Sequence, residues 1–280
     1  MFEEFTLDTP CLRISGRRSG NPAGPKLLAV HGWLDNAASF APLAPHFADH
    51  DLVAIDLPGH GRSSHRAPGA WYHFIDYCSD LLAVADALGW AHFALLGHSL
   101  GGAVSSALAA ALPERIERLY LIEALGPLST AEARLPELLG QALREREALT
   151  GKQLRRFASI DQAVAARRSN RDMPLDEASA RLLVERGVRA IDGGFEWSSD
   201  PRLTLTSAMR LSEDQVCGYL AGIRCPVRLV LADPPLPFLD ATLMQARTLV
   251  VGALHWKRMH GSHHLHMELP AAVAALLRSD

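Results

Sequence analysis

Within the chain lies Phe93-Ala-Leu-Leu-Gly97-His98-Ser99-Leu100-Gly101-Gly102, and few backbone arrangements can accommodate it. An apolar run of strand character enters a G-x-S-x-G turn. It leaves into Leu100, Ala103, Val104, Ala107, Leu108 and Ala111, apolar positions at helical spacing that end before Pro113. A strand that reverses into a helix this abruptly has no room for side chains two residues either way of the serine, so the glycines are a steric demand. The turn holds the Ser99 hydroxyl clear of the sheet at the N-terminus of the helix. There the backbone N–H groups and the positive helix end can meet an oxyanion. Ser99 is therefore a candidate nucleophile on a strand–helix junction.

The surrounding sequence repeats the strand-then-helix rhythm. Lys26 to His31, Leu52 to Ile55, Leu119 to Ile122, Pro226 to Ala232 and, more weakly, Leu254 to Met259 read as further strands. Phe40, Leu43, Ala44 and Phe47 recur at helical spacing. Phe74, Tyr77, Cys78, Leu81, Val84, Ala85 and Leu88 trace one helix face before a Gly89 cap, and Pro270 to Arg278 makes a last helix. Alternation of this kind predicts an α/β fold, a mostly parallel sheet with helices on both faces.

From Gly126 to Gln215 no strand-like run appears, and Arg, Glu, Ala and Leu dominate. The expected organisation is a core made of residues 1–125 and 216–280, interrupted by a helical cap or lid at 126–215. Within the cap, Trp197 is a candidate pocket-lining or anchoring residue, and Tyr219 at its far end is the tyrosine available there. Arg155-Arg156 and Arg167-Arg168 read either as a greeting for an acidic substrate or, more simply, as a solvated helix face.

Several function classes are excluded by composition. The net charge of −3 gives no electrostatic case for nucleic acid or an anionic membrane, and no apolar run approaches a membrane span. Cys11, Cys78, Cys217 and Cys225 form no C-x-x-C pair, and a chain of 280 residues buries a core without staples. The acidic start Met1 to Asp8 is not a secretory signal and Arg278-Ser279-Asp280 is not a peroxisomal tripeptide, so a cytoplasmic location is expected.

Two further segments carry chemistry. His31-Gly32-Trp33-Leu34-Asp35 leaves the first parallel strand, and the N–H of Trp33 can join that of Leu100 in an oxyanion hole. Asp56 to Ser63 is a Pro- and Gly-set turn with Asp56 bonding nearby backbone or Arg62, an architectural element without catalysis. His98 is expected to pack rather than move protons. The late run His260-Gly-Ser-His263-His264-Leu-His266 either holds a catalytic base or forms a metal cluster; no D-x-H-x-D-H or H-E-x-x-H pattern accompanies it, so neither a metal nor a cofactor is expected.

Taken together, His31 to Ala37, Asp56 to Ser63 and Gly97 to Gly102 resemble the corresponding motifs of α/β-hydrolases, and more closely those of the serine hydrolase-like protein group. That group stands near the epoxide hydrolases and haloalkane dehalogenases, whose nucleophile is an aspartate; Ser99 here disfavours both chemistries. The resemblance implies an α/β-hydrolase fold with the triad order Ser, acid, His. Matching Glu268 and Pro270 to the family's terminal pattern puts the base at His263 rather than His264. The acid usually follows the strand after the lid in a Gly-x-x-Asp turn, but that position is Pro235 here, leaving Asp233 as an alternative. Some haloalkane dehalogenases carry it after the strand that follows the elbow helix, which is Glu123. A carboxylate at a buried strand end needs a partner, and a histidine supplies one, so Glu123 is the preferred acid. The implied activity is cleavage of a small-molecule carboxylic ester of small or medium acyl size through an acyl-enzyme. Thioesterase, amidase or perhydrolase chemistry on the same triad, or a low-turnover ligand receptor, are the alternatives.

Overall fold

The computed structural model describes residues 2–149, 155–170, 173–236 and 240–279. Up to the insertion the chain forms β1 (Glu3–Asp8), β2 (Arg13–Gly20), β3 (Lys26–Val30), β4 (Asp51–Ile55), α1 (Phe74–Ala87), β5 (Phe93–His98), α2 (Leu100–Ala111) and β6 (Ile116–Ile122). The insertion contains α3 (Leu135–Leu149), β7 (Arg156–Phe157), α4 (Ile160–Arg168), α5 (Glu177–Gly187), β8 (Val188–Ile191) and β9 (Gly194–Trp197). The core is completed by α6 (Glu213–Ala221), β10 (Val227–Asp233), α7 (Ala241–Thr248), β11 (Leu254–His260), α8 (Leu265–Glu268) and α9 (Pro270–Arg278).

Eight strands make one sheet in the order β1-β2-β4-β3-β5-β6-β10-β11. From β4 to β11 every neighbour is parallel, whereas β1 and β2 run antiparallel at one edge. Side chains alternate faces along each strand, and the two faces bury separate cores. Leu28, Val30, Val53, Ile55, Phe93, Leu95, Leu119 and Leu121 join the cluster under α1, α2 and α6. Their neighbours Leu27, Ala29, Leu52, Ala54, Leu96, Tyr120 and Ile122 join the cluster under α9 and the 3₁₀ turns at Ala37–Phe40 and Ala44–Phe47. Strands buried on both faces must be apolar throughout, which is why these runs stand out in the sequence.

Four features differ from expectation. The β1–β2 hairpin is built from charged residues, with Glu3, Glu4 and Asp8 opposite Arg18, Arg17 and Arg13, so its edge position leaves no apolar run to read. Phe40 to Phe47 forms two 3₁₀ turns rather than a helix. The insertion is not wholly helical: β7, β9 and β8 form a three-stranded antiparallel sheet. Its hairpin turns at Gly193 and Gly194, whose φ values are +80° and +152°, and the Asp192-Gly193 pair was the local signal for it. Finally, α6 begins at Glu213, and its Val216 and Leu220 are buried in the core under the sheet.

Candidate active site

All the parallel strands end along one edge of the sheet, and the chemistry-bearing residues gather there. Ser99 follows β5 directly, with φ 51° and ψ −115°, a conformation that non-glycine residues rarely adopt. Its N–H donates to the Ile122 carbonyl, and its carbonyl accepts from Ala103 N–H as α2 begins. The flanking glycines are needed for space. A Cβ at Gly101 would stand 1.9 Å from the Val30 carbonyl oxygen, and one at Gly97 would stand 2.6 Å from the Gly101 carbonyl oxygen. The elbow is thus wedged between β3 and α2, and the Ser99 side chain is only partly buried.

Glu123 follows β6, also at positive φ (57°), and is buried. Its Oε1 accepts from Ala232 N–H, and its Oε2 lies 3.0 Å from His263 Nδ1. Both carboxylate oxygens are therefore satisfied, which removes most of the penalty for burying the charge. Asp233, the alternative acid, is exposed at the end of β10, and its backbone carbonyl accepts from Gly261 N–H. The structure thus brings Glu123, and not Asp233, onto His263. His264 turns elsewhere: its Nε2 lies 3.1 Å from Asp35 Oδ2, and its Nδ1 has no hydrogen-bond partner among the described residues.

Trp33 and Leu100 bring two backbone N–H groups to the same edge, and neither donates to a protein acceptor among the described residues. The Leu100 N–H is one of the orphan donors at the start of α2. The Trp33 N–H is aimed by its neighbour. His31 is buried between two backbone partners: Leu57 N–H donates to its Nε2, so Nδ1 carries the proton and donates to the Gly32 carbonyl at 2.7 Å. In a trans peptide the N–H points opposite to the carbonyl, so tying the Gly32 oxygen back to His31 turns the Trp33 N–H away from it. Burial pulls the His31 pKa down to about 4, which keeps this tautomer at neutral pH. The indole of Trp33 is anchored separately, Nε1 donating to the Leu203 carbonyl of the insertion.

Two arginines of the insertion, Arg186 buried and Arg167 nearly so, lock onto the same strand ends. Arg186 of α5 donates from Nε to both oxygens of Asp56 and from Nη1 to Glu4. Asp56 also accepts from the N–H groups of Ala37 and Arg62, so the turn after β4 is architectural, as its composition suggests. Arg167 of α4 donates to Asp35 Oδ1 at 2.7 Å and is nearly buried, so it is neither a solvated face nor free to greet substrate; Arg168 beside it is exposed and pairs with Glu177. Trp197 packs edge-to-face on Phe157 inside the insertion's own cluster. Tyr219 sits on α6 beside Ala110 and Ala111, on the outer face of the core.

In side-chain type, Asp35, His98 and His264 are the group of described residues suited to a metal, their ligand atoms lying within 4.8 Å of one another. Both Asp35 oxygens already accept from Arg167 and His264, which makes the cluster a protein hydrogen-bond network. His98 is fully buried and donates from Nε2 to the His263 carbonyl at 2.9 Å. None of these contacts was readable from composition; only the closeness of Asp35 to the His31-Gly32 loop and of His264 to His263 hinted at them.

The family model described as alpha/beta hydrolase fold matches residues 25–196, more than half of the chain. A serine hydrolase-like protein of Danio rerio is 31% identical over 98% of this chain and 86% of its own length. A probable serine hydrolase of Drosophila melanogaster is 32% identical over the same shares, 98% and 86%. Among solved structures, a hypothetical protein of Pseudomonas aeruginosa PAO1 superposes with a TM-score of 0.92 at 40% identity, covering 99% of this chain and 97% of that one.

Proposed function

The chain belongs to the alpha/beta hydrolase fold family and within it to the serine hydrolase-like group, and on that premise we propose that it is a serine hydrolase acting on carboxylic esters of small or medium acyl size. The observation that carries the reading is the Glu123–His263 contact, with His263 held by a hydrogen bond from His98, the residue before the elbow serine. A carboxylate on Nδ1 fixes the tautomer whose Nε2 lone pair can take a proton.

In the proposed reaction Ser99 Oγ attacks the ester carbonyl carbon while His263 Nε2 takes the hydroxyl proton. The tetrahedral oxyanion is held by the N–H groups of Trp33 and Leu100. Its collapse breaks the bond to the alcohol oxygen, which takes the proton back from His263 and leaves, giving an acyl-serine. Water then adds to that acyl carbon, again giving its proton to His263, and the acid departs as Ser99 recovers the proton. Glu123 stays ionised throughout and stabilises the imidazolium that forms twice. Neither a metal nor a cofactor enters these steps. The limit on acyl size is assigned to the cap at residues 126–215, since a wall clamped by Arg167, Arg186 and Trp33 yields little to a longer chain. The four cysteines are unpaired, which suits the reducing, cytoplasmic compartment proposed for the protein.

Fluorophosphonate labelling followed by peptide mapping tests the nucleophile. The label is expected on Ser99, with Ser99→Ala losing both label and ester turnover by several orders of magnitude. Label on Ser105 or Ser106, both buried on α2, would sink the assignment. A panel of matched aryl esters of increasing acyl length, with thioester and amide counterparts, tests the substrate class; faster turnover of the thioester or amide would move the protein to that class.

A further inference from the structure

Behind the proposed triad lies a second buried carboxylate that faces the reaction without touching it. Asp35 is 3% exposed in the loop after β3. It is clamped from two sides, by Arg167 of the cap on Oδ1 and by His264 on Oδ2. On the same Oδ2, at 3.6 Å, stands Nδ1 of His98. That ring donates its other N–H to the backbone carbonyl of His263, and the two rings have centroids 4.7 Å apart. Asp35 therefore bears on His263 through the adjacent residue His264, and its charge stands 3.6 Å from the ring that holds the His263 peptide. The contact leaves no slack: a Cβ on Gly32 would stand 2.9 Å from His98 Nδ1 and 3.1 Å from Asp35 Oδ2.

We propose that Asp35 and Arg167 are positioning residues for the proposed hydrolysis, a buried ion pair through which cap contact sets the orientation and proton affinity of His263. This rests on the reading of His263 as the base. The charged and titratable groups around that ring are Glu123 after β6, His98 at the end of β5 and His264 in its own loop, with Asp35, Arg167 and His266 behind them. Burial favours neutral His98, whose pKa falls to about 4, so it adds no fixed charge near pH 7. Burial also raises the Asp35 carboxyl, but His264 and Arg167 outweigh it and hold the group well below the usual carboxylate range. The carboxylate draws protons toward His263 and the guanidinium opposes it. With the cap docked the two charges offset one another. Without Arg167 the carboxylate acts alone.

The sign of the effect separates this role from a structural one. The pKa of His263 is read by imidazole ¹⁵N NMR titration of the full chain, the resonance being identified by its loss in His263→Gln. Asp35→Asn is expected to lower it and Arg167→Gln to raise it. The double variant returns toward wild type, and Arg167→Lys, which keeps the charge, stays near it. In turnover, the acid limb of the kcat/KM profile moves in the same directions, and kcat falls more than KM changes. Folded variants with an unmoved His263 pKa, or with both single changes shifting it the same way, overturn the proposal. If Asp35→Asn does not fold, Arg167→Gln and Arg167→Lys decide it alone. The NMR titration needs no substrate. Opposite shifts in a protein that neither labels at Ser99 nor cleaves esters would refute the hydrolase reading while leaving the Asp35 coupling in place.

Discussion

Replacing Glu123 by Gln removes one charge and almost no volume, and the structure dictates which way the new amide must face. One Glu123 oxygen accepts from the Ala232 N–H, in a buried, short contact. Turning the amide nitrogen toward that N–H would set two donors against each other, at a cost of about 1–3 kcal/mol for the unsatisfied pair. The amide oxygen therefore stays on Ala232, and the NH₂ faces His263 Nδ1 at the 3.0 Å position of the present Oε2. A donor there requires a lone pair on Nδ1, which moves the ring proton to Nε2. That nitrogen can then no longer take the Ser99 proton. Loss of the correct tautomer in a Ser-His-acid arrangement costs about 10⁴-fold in kcat, or about 5 kcal/mol of barrier. The assay is steady-state hydrolysis of an aryl butyrate, with thermal unfolding to confirm that the variant folds. Asp233→Asn, at an exposed residue away from His263, is expected to stay within about twofold, as surface substitutions generally do. A folded Glu123→Gln enzyme within tenfold of wild type, or a larger loss in Asp233→Asn, would refute the reasoning.

Other expectations concern the scaffold. Gly101→Ala would place its Cβ 1.9 Å from the Val30 oxygen; a loss of about 3 kcal/mol or more and a Tm lower by at least about 6 °C are expected. Gly218→Ala, a helical glycine with nothing within 4 Å of its added Cβ, should by contrast be neutral or stabilising by up to about 1 kcal/mol; calorimetry of the pair checks both. Arg186→Met leaves Asp56 buried without its cation, which costs about 3–5 kcal/mol; a Tm within 2 °C of wild type would show that the clasp is dispensable. Burial lowers the pKa values of His31 and His98 to about 4 and of His60 to about 3, against 6.5 when exposed. The unfolded chain thus binds more protons than the folded one below pH 6.5, so stability is full above that pH and falls as pH drops from 6.5 toward 4. Denaturant midpoints at pH 7.5 and 5 measure this, and a higher midpoint at pH 5 would contradict it.

The elbow, the parallel strands and the helices beside them could be read from the sequence because their causes are local. Gly97 answers a collision within its own turn, and the runs at Leu27 to Val30 and Phe93 to Leu96 are apolar because both faces of each strand are buried; Gly101, whose Cβ would meet Val30 of β3, was legible only as part of the motif. The charged edge hairpin and the two- to four-residue strands of the insertion were not legible, since neither buries enough apolar surface to leave a period. The insertion was visible as a break in rhythm, but not its attachment. Arg167 and Arg168 are neighbours of one type, and only packing decides that the first is paired, mostly covered, with Asp35 while the second meets solvent. For the proposed acid, resemblance left two strand ends with Glu123 preferred, and only the tertiary structure brings one of them, Glu123, within hydrogen-bond distance of His263. Glu123 and His263 lie 140 residues apart, and their contact depends on β6 and β10 lying side by side with the His263 loop folded over them. Local sterics and burial write themselves into consecutive residues, whereas a hydrogen bond between distant strand ends leaves no trace in either segment alone.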